Sequence, residues 1–184
     1  MSESDIGFQA ALSEAKKGAE EGGIPIGACL VDRDGKILGQ GHNMRLQKGS
    51  AILHVCSLSI YERVFPCHRN HPRSYILYKG LTRLRQAEMS ALESAGRLPA
   101  SAYKGSTMYT TLSPCSMCTG ACILYNVFRV VLGENKTFQG GEDLLRSNGI
   151  EVVNLQSAEA EKLVQTFISD RPEDWCFPIR RSSV

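Results

Sequence analysis

The chain has little that would tie it to a membrane, a secretory route or a polyanion. None of its 184 residues fall in an apolar run approaching the roughly 20 residues that a membrane span needs. The opening stretch MSESDIGFQAALSEAKK is acidic and amphipathic, unlike the basic-then-apolar order of a secretory leader. A cytoplasmic setting is therefore expected, with the nucleus open by diffusion. Aromatic residues make up only 7% of the chain, and tryptophan occurs once, at Trp175. Cysteine occurs seven times. An odd count outside a secretory context excludes a complete disulfide framework and leaves metal binding or burial. There is no internal repeat and no low-complexity tract.

What is present fits one globular domain: 42% hydrophobic and 22% charged residues, in a length sufficient to bury a core. The net charge of +2 conceals an asymmetry. Segment 55–86 carries Arg63, Arg69, Arg73, Lys79, Arg83 and Arg85 against the single acid Glu62. Of the chain's 21 basic and 19 acidic residues, the remainder then holds 15 basic and 18 acidic. A mildly acidic body argues against a nucleic-acid-binding face.

Phe8, Leu12, Ala15 and Ala19 recur at helical spacing over 5–20, with Ser4 or Asp5 as cap and Gly22-Gly23 as stop. Residues 26–31 read as a buried strand, 32–35 as a turn and 36–41 as its hairpin partner. Further along, the pattern predicts a helix over 87–95 ending at Gly96, a strand over 107–112, a helix over 115–125 and a strand over 128–132. A short helix over 142–147, a strand over 150–154 and a helix capped by Ser157 and running to about Asp170 complete the series. Five strands alternating with helices imply an α/β protein, its central sheet covered on both faces.

The sharpest motif is Ser113-Pro114-Cys115-Ser116-Met117-Cys118. Proline after a strand starts a helix, and cysteines at i and i+3 share one face of it. Both thiols then lie in the first turn, where free N–H groups and the helix dipole favour the thiolate. Such a pair suits zinc, although by itself it also fits half of a structural site, a redox pair or chance spacing. Cys122, one turn on from Cys118, reads as a small buried hydrophobe.

A catalytic zinc would need a third ligand, and the Pro-Cys-x-x-Cys half of a zinc-deaminase signature asks for a His-x-Glu half. No contiguous copy exists. Joining GSAILH (49–54) to AEMSALE (87–93), however, reconstitutes His-Ala-Glu at the start of an amphipathic helix. With 55–86 set aside, the text from about Ile6 to Trp175 resembles the fungal, yeast-type cytosine deaminases of the cytidine and deoxycytidylate deaminase superfamily. The resemblance is carried by EGGIPIGACL (21–30), GHNMR (41–45), TTLSPCSMCTGA (110–121), GEN (133–135) and RPEDW (171–175).

That resemblance implies a three-layer α/β/α sandwich around a mixed sheet of about five strands, and a single deaminase domain over 1–175. It implies one Zn2+ per chain held by His54, Cys115 and Cys118, with Glu88 as the unligated proton shuttle. The substrate would be cytosine, converted to uracil and ammonia in pyrimidine salvage. Asn43 would meet the polar edge of the pyrimidine, Ser113 would contact the base through its backbone, and Ile26 would form an apolar wall. Phe138 and Trp175 would close over the base, and His42 would be structural. A homodimer is implied by the family alone. After Trp175 the tail CFPIRRSSV departs from the family's acidic tail. Pro178 stands near the place of a substrate-contacting aspartate, whose carboxylate proline lacks.

Two rivals stand beside this reading. One is a tRNA adenosine or free-nucleoside deaminase, which a basic face would have favoured. The other is a zinc-binding protein whose split His-Ala-Glu motif has ended catalysis. Looping out 32 residues costs on the order of 3 kcal/mol of chain entropy, so the split does not forbid a rebuilt site. Within the insert, Cys67, His68 and His71 form a rival ligand set. The segment is an in-frame length that opens on Val55-Cys56 and closes on Gln86, codons compatible with intron ends, and Leu81-Thr82 is compatible with a branch site. A retained, translated intron is the expectation. Sequencing of cDNA should yield transcripts lacking the codons for 55–86; their complete absence would sink the idea.

Overall fold

The computed structural model describes residues 1–47 and 87–175. His54, the 55–86 segment and the 176–184 tail lie outside the described residues, and so do the expectations placed on them. Helix α1 (Ile6–Glu20) buries Phe8, Ala11, Leu12 and Ala15, the apolar stripe visible in the sequence. Asp5 takes the N-cap with extended backbone but makes no side-chain cap bond. Gly22, at φ 77°, ends the helix in a left-handed conformation that glycine tolerates.

Strands β1 (Gly27–Val31) and β2 (Ile37–His42) form the expected antiparallel hairpin. Its turn is held by Asp32, whose Oδ1 accepts the N–H of Asp34 at 2.9 Å and of Lys36 at 2.8 Å. There follow α2 (Ala87–Ala95), α3 (Ala100–Tyr103), β3 (Thr107–Leu112), α4 (Ser116–Leu124) and β4 (Arg129–Glu134). Helix α5 (Glu142–Ser147), β5 (Glu151–Asn154), α6 (Ala158–Asp170) and α7 (Pro172–Trp175) complete the described chain. The sheet order is β2-β1-β3-β4-β5. β1 runs antiparallel to β2 and β3, whereas β3, β4 and β5 are mutually parallel, so the sheet is mixed. Each parallel step needs a crossover, and α4 and α5 supply the two.

Alternation along the strands sorts the core into two layers. Ala28, Leu30, Met108 and Val130 face α2, α4 and α5 through Ala91, Cys122 and Leu145. Cys29, Val31, Tyr109 and Val131 face the other way, onto Phe8 and Ala11 of α1 and Ala160 of α6. The three-layer α/β/α arrangement follows. Each fully buried side chain of the size of Phe8, Leu30 or Met108 contributes roughly 1.5–3 kcal/mol.

The helices over 87–95 and 142–147 match the sequence reading to the residue. Strand β3 also matches to the residue, the other strands differ by a residue or two at their ends, and β4 runs on to Glu134 because Leu112 pairs with it across the parallel ladder. Helices α3 and α7 escape the sequence pattern, since four residues are too few to show a period. Each begins at a proline, Pro99 at the N-cap of α3 and Pro172 as the first residue of α7.

One packing constraint places the site. β2 reads Ile-Leu-Gly-Gln-Gly-His, and its two glycines lie under α2. A Cβ at Gly39 would stand 2.2 Å from the carbonyl oxygen of Ala91 and 2.4 Å from the nitrogen of Ala95; one at Gly41 would stand 2.4 Å from Ser90 Cβ. Helix α2 thus rests directly on the strand backbone. Gly39→Ala should push α2 off the sheet at a cost of about 1–3 kcal/mol, seen as a melting-temperature drop of roughly 2–8 °C. An unchanged thermal midpoint would refute the close-approach reading.

Candidate active site

Two helix N-termini meet over the C-terminal end of β3. Glu88 sits in the first turn of α2 and is 3% exposed. Thr110, on β3 and fully buried, places its hydroxyl 3.2 Å from Glu88 Oε1 and 3.1 Å from the carbonyl of Leu112, one proton between two acceptors. The Cys118 thiol lies beside the Glu88 carboxylate. Burial pushes the Glu88 carboxyl above the usual carboxylate range, and the neighbouring Cys118 and Thr110 groups only partly oppose it. A carboxyl so placed can both take and return a proton.

Cys115 forms the N-cap of α4, with extended backbone, and Cys118 lies in the first turn. Their sulfur atoms are 3.6 Å apart. Two thiolates bound at about 2.3 Å to one tetrahedral ion would be separated by about 3.8 Å, so the pair fits zinc without rearrangement. The Cys118 thiol, and secondarily the amides of Cys118 and Met117, hold the Cys115 thiolate, bringing its pKa down to about 7 although burial opposes the shift. Cys118, fully buried beside Glu88, is pushed well up in return. Cys115 is thus the thiol of the pair that ionises first. Cys122 is buried and its thiol is driven upward by desolvation, in keeping with a packing role. Among the described residues no three His, Cys, Asp or Glu side chains gather as a complete ligand set. The third ligand expected from the sequence, His54, lies outside them.

Ser113 is buried, and its hydroxyl donates to Glu142 Oε1 at 2.9 Å while accepting the Gly140 N–H at 3.0 Å. Glu142 also accepts from Asn135 Nδ2 at 3.0 Å and Arg146 Nη2 at 3.2 Å. The side chain of Ser113 therefore braces the loop that precedes Cys115. Glu134, 1% exposed, accepts the N–H groups of Lys136 at 2.7 Å and Thr137 at 3.0 Å and bonds the Thr137 hydroxyl. That carboxylate shapes the loop carrying Phe138, which is half-buried near Gly140.

Asn43 is 3% exposed at the end of β2. Its N–H donates to the carbonyl of Ile26 at 2.8 Å, and its Oδ1 accepts the N–H of Arg45 at 3.0 Å. Ile26 is half-buried and packs on the α2 side of the core. Ser90 of α2 donates to the carbonyl of His42 at 3.1 Å, tying the Glu88 helix to the Asn43 strand. His42 is indeed bonded inward, with Nδ1 2.7 Å from Glu14 and Nε2 3.0 Å from Glu21. Trp175 is half-buried on α7.

The structure thus brings Glu88, Cys115 and Cys118 into one cluster, links Asn43 to Ile26, and links Ser113 to the Phe138 loop. The sequence reading missed Thr110, Glu134 and Glu142. Thr110 and Glu134 sit inside TTLSPC and GEN, yet Thr110 bonds Glu88 only once α2 is laid over β3, which no local pattern displays.

A mixed α/β/α sheet, a thiol pair at a helix start and a buried first-turn glutamate are together what a zinc-dependent deaminase would need of its fold. Residues 1–134 match the model of the cytidine and deoxycytidylate deaminase zinc-binding region, and the chain belongs to that family. The chain is 50% identical over 169 residues to the cytosine deaminase of Candida albicans, covering 92% of this chain and 91% of that one. It is 30% identical over 169 residues to a tRNA-specific adenosine deaminase of Streptococcus pyogenes serotype M18, covering 87% and 86%. Among solved structures it resembles one from studies of A-to-I editing by tRNA:A34 deaminases, with TM-score 0.55, 22% identity, and 85% of this chain and 97% of that one covered. It also resembles Acinetobacter baumannii RibD, with TM-score 0.57 and 23% identity over 92% of this chain but 39% of that one.

In zinc-free protein, Cys115 should be the described cysteine that iodoacetamide modifies fastest. Below about pH 7 it carries its proton, and the rate should climb as the pH rises through about 7. Mapping the alkylated residue by mass spectrometry checks this, and added zinc should protect it. Preferential labelling of Cys29 or Cys122 would contradict the assignment.

Proposed function

We infer that this chain catalyses the hydrolytic deamination of cytosine to uracil and ammonia. The observation that carries the reading is the burial of Glu88 against Cys118 and Thr110 at the start of α2, which makes a desolvated proton carrier beside a thiol pair. The 50% identity to the Candida albicans enzyme supports cytosine as the base. Cys115 and Cys118 would hold the zinc, with His54 as third ligand and one ion per chain. When bound, the ion supplies charge that makes water a nucleophile near neutral pH.

The remaining work falls to the chain's own groups. Glu88 takes the proton that water gives up as it adds to the ring carbon bearing the amino group and passes it to the ring nitrogen; it then takes the proton of the added hydroxyl and gives it to the amino group, which leaves as ammonia. Thr110 orients the carboxylate for both transfers. Asn43 and the backbone of Ser113 would hold the polar edge of the base, while Ile26, Phe138 and Trp175 enclose its faces. Asn43 Oδ1 already holds its own turn, so its remaining amide hydrogens are the groups left for the base.

The same reading makes the chain a cytoplasmic enzyme of pyrimidine salvage that works as a homodimer. Support for pairing comes from Leu124, Tyr125 and Phe128, which stay exposed at and just beyond the end of α4, on the zinc-site layer. The acidic balance outside 55–86 favours a small base over tRNA. Glu88→Gln should retain zinc and lower cytosine turnover by about a thousandfold or more, since the amide can neither accept nor return the proton. Ammonia release and metal content, measured on both proteins, decide the matter. Zinc bound by the unsubstituted chain with no turnover would favour a zinc-binding protein without catalysis; turnover of adenosine in tRNA would favour the other rival.

A further inference from the structure

Trp175 stands at the end of α7, a four-residue helix none of whose residues is buried. Packing alone holds such a helix weakly, and Arg171 adds polar anchors to it. The carbonyl of Arg171 accepts the N–H of Asp174 at 3.2 Å and of Trp175 at 3.4 Å, closing the turn. Its guanidinium serves three partners at once. Nη1 donates to the carbonyl of Gly22 at 2.7 Å, Nη2 pairs with Asp174 Oδ2 at 2.6 Å, and the group lies 5.5 Å over the Phe167 ring.

The bond to Gly22 crosses from the end of the described chain to its beginning, over a groove of about 540 Å³ that Ala19, Pro25, Leu163 and Phe167 help to line. The guanidinium therefore spans a gap and does not sit in a packed seam. On the far side, the Gly22 turn is fixed by the preceding Glu21, which reaches His42 at 3.0 Å. The same turn leads through Pro25 to Ile26, whose carbonyl holds the Asn43 N–H at 2.8 Å. One side chain thus connects the helix of Trp175 to the turn that leads into Ile26, the partner of Asn43.

We propose that Arg171 is a positioning residue that sets Trp175 against the Ile26–Asn43 side of the substrate pocket; this rests on the cytosine reading of the site. Arginine suits the task because its planar fork serves two acceptors while its face covers an aromatic ring, which a lysine ammonium cannot do. The Arg171–Asp174 pair is 41% and 27% exposed, so solvent and salt screen it.

The test uses the zinc-loaded full-length chain and the fluorescence of its single tryptophan. Arg171→Lys keeps the charge and removes the fork. KM for cytosine should rise on the order of tenfold with kcat changed less than about twofold, the signature of lost positioning in substrate binding. Trp175 emission should shift to the red and its anisotropy fall, while zinc content stays the same. Arg171→Met, which retains only the stem on Phe167, should show the larger change in both readouts. A fall in thermal midpoint with KM and Trp175 emission unchanged would overturn the proposal and leave a merely structural role. If the unsubstituted chain does not turn over cytosine, the substrate reading fails instead. The Trp175 signal then still decides the tether, a shift supporting it and no shift overturning it.

Discussion

The desolvation of one carboxyl group organises this molecule. Glu88 is held out of water between a thiol and a threonine hydroxyl, and that environment exists only because α2 lies directly on the backbone of β2. Were Gly39 or Gly41 any larger, α2 would stand off the sheet and Glu88 would lose its partner on β3. The cost of burying the carboxyl is met by the pairing of Ala28, Leu30 and Met108 with Ala91 and Leu92 in the same layer. Stability and chemistry therefore share one interface.

Around that interface, acidic side chains serve as braces and not as a surface charge. Glu134 and Glu142 are both buried, and each gathers donors from the loops beside Cys115 and Phe138. Glu14 and Glu21 do the same for His42 at the other end of β2. Buried carboxylates with full sets of donors hold loops in place more tightly than apolar contacts at the same positions could, because each bond has a direction. Hydrogen bonds of Ser113, Glu134 and Glu142 in this way fix the loops beside Cys115 and Phe138.

Much of the fold was legible in advance. Helical spacing of Phe8, Leu12 and Ala15, the buried apolar run over 26–31 and the stop at Gly96 depend on neighbours within a few residues, and the structure follows them closely. Cys115-x-x-Cys118 was legible for the same reason, since a helix start places i and i+3 together whatever surrounds it. Helices α3 and α7, the reach of β4 to Glu134 and the bonding of Thr110 were not. Each depends on a partner far along the chain or on an element too short to show a period.

By itself, then, the sequence determined the strand and helix order, the thiol pair and the apolar stripes, because covalent spacing and backbone geometry decide those locally. The tertiary structure alone decided that two glycines of β2 admit α2 onto the sheet, that Glu88 meets Cys118, and that Arg171 reaches back to Gly22. These are contacts across 30 to 149 positions, and only the stacking order β2-β1-β3-β4-β5 with helices on both faces brings such residues within bonding distance.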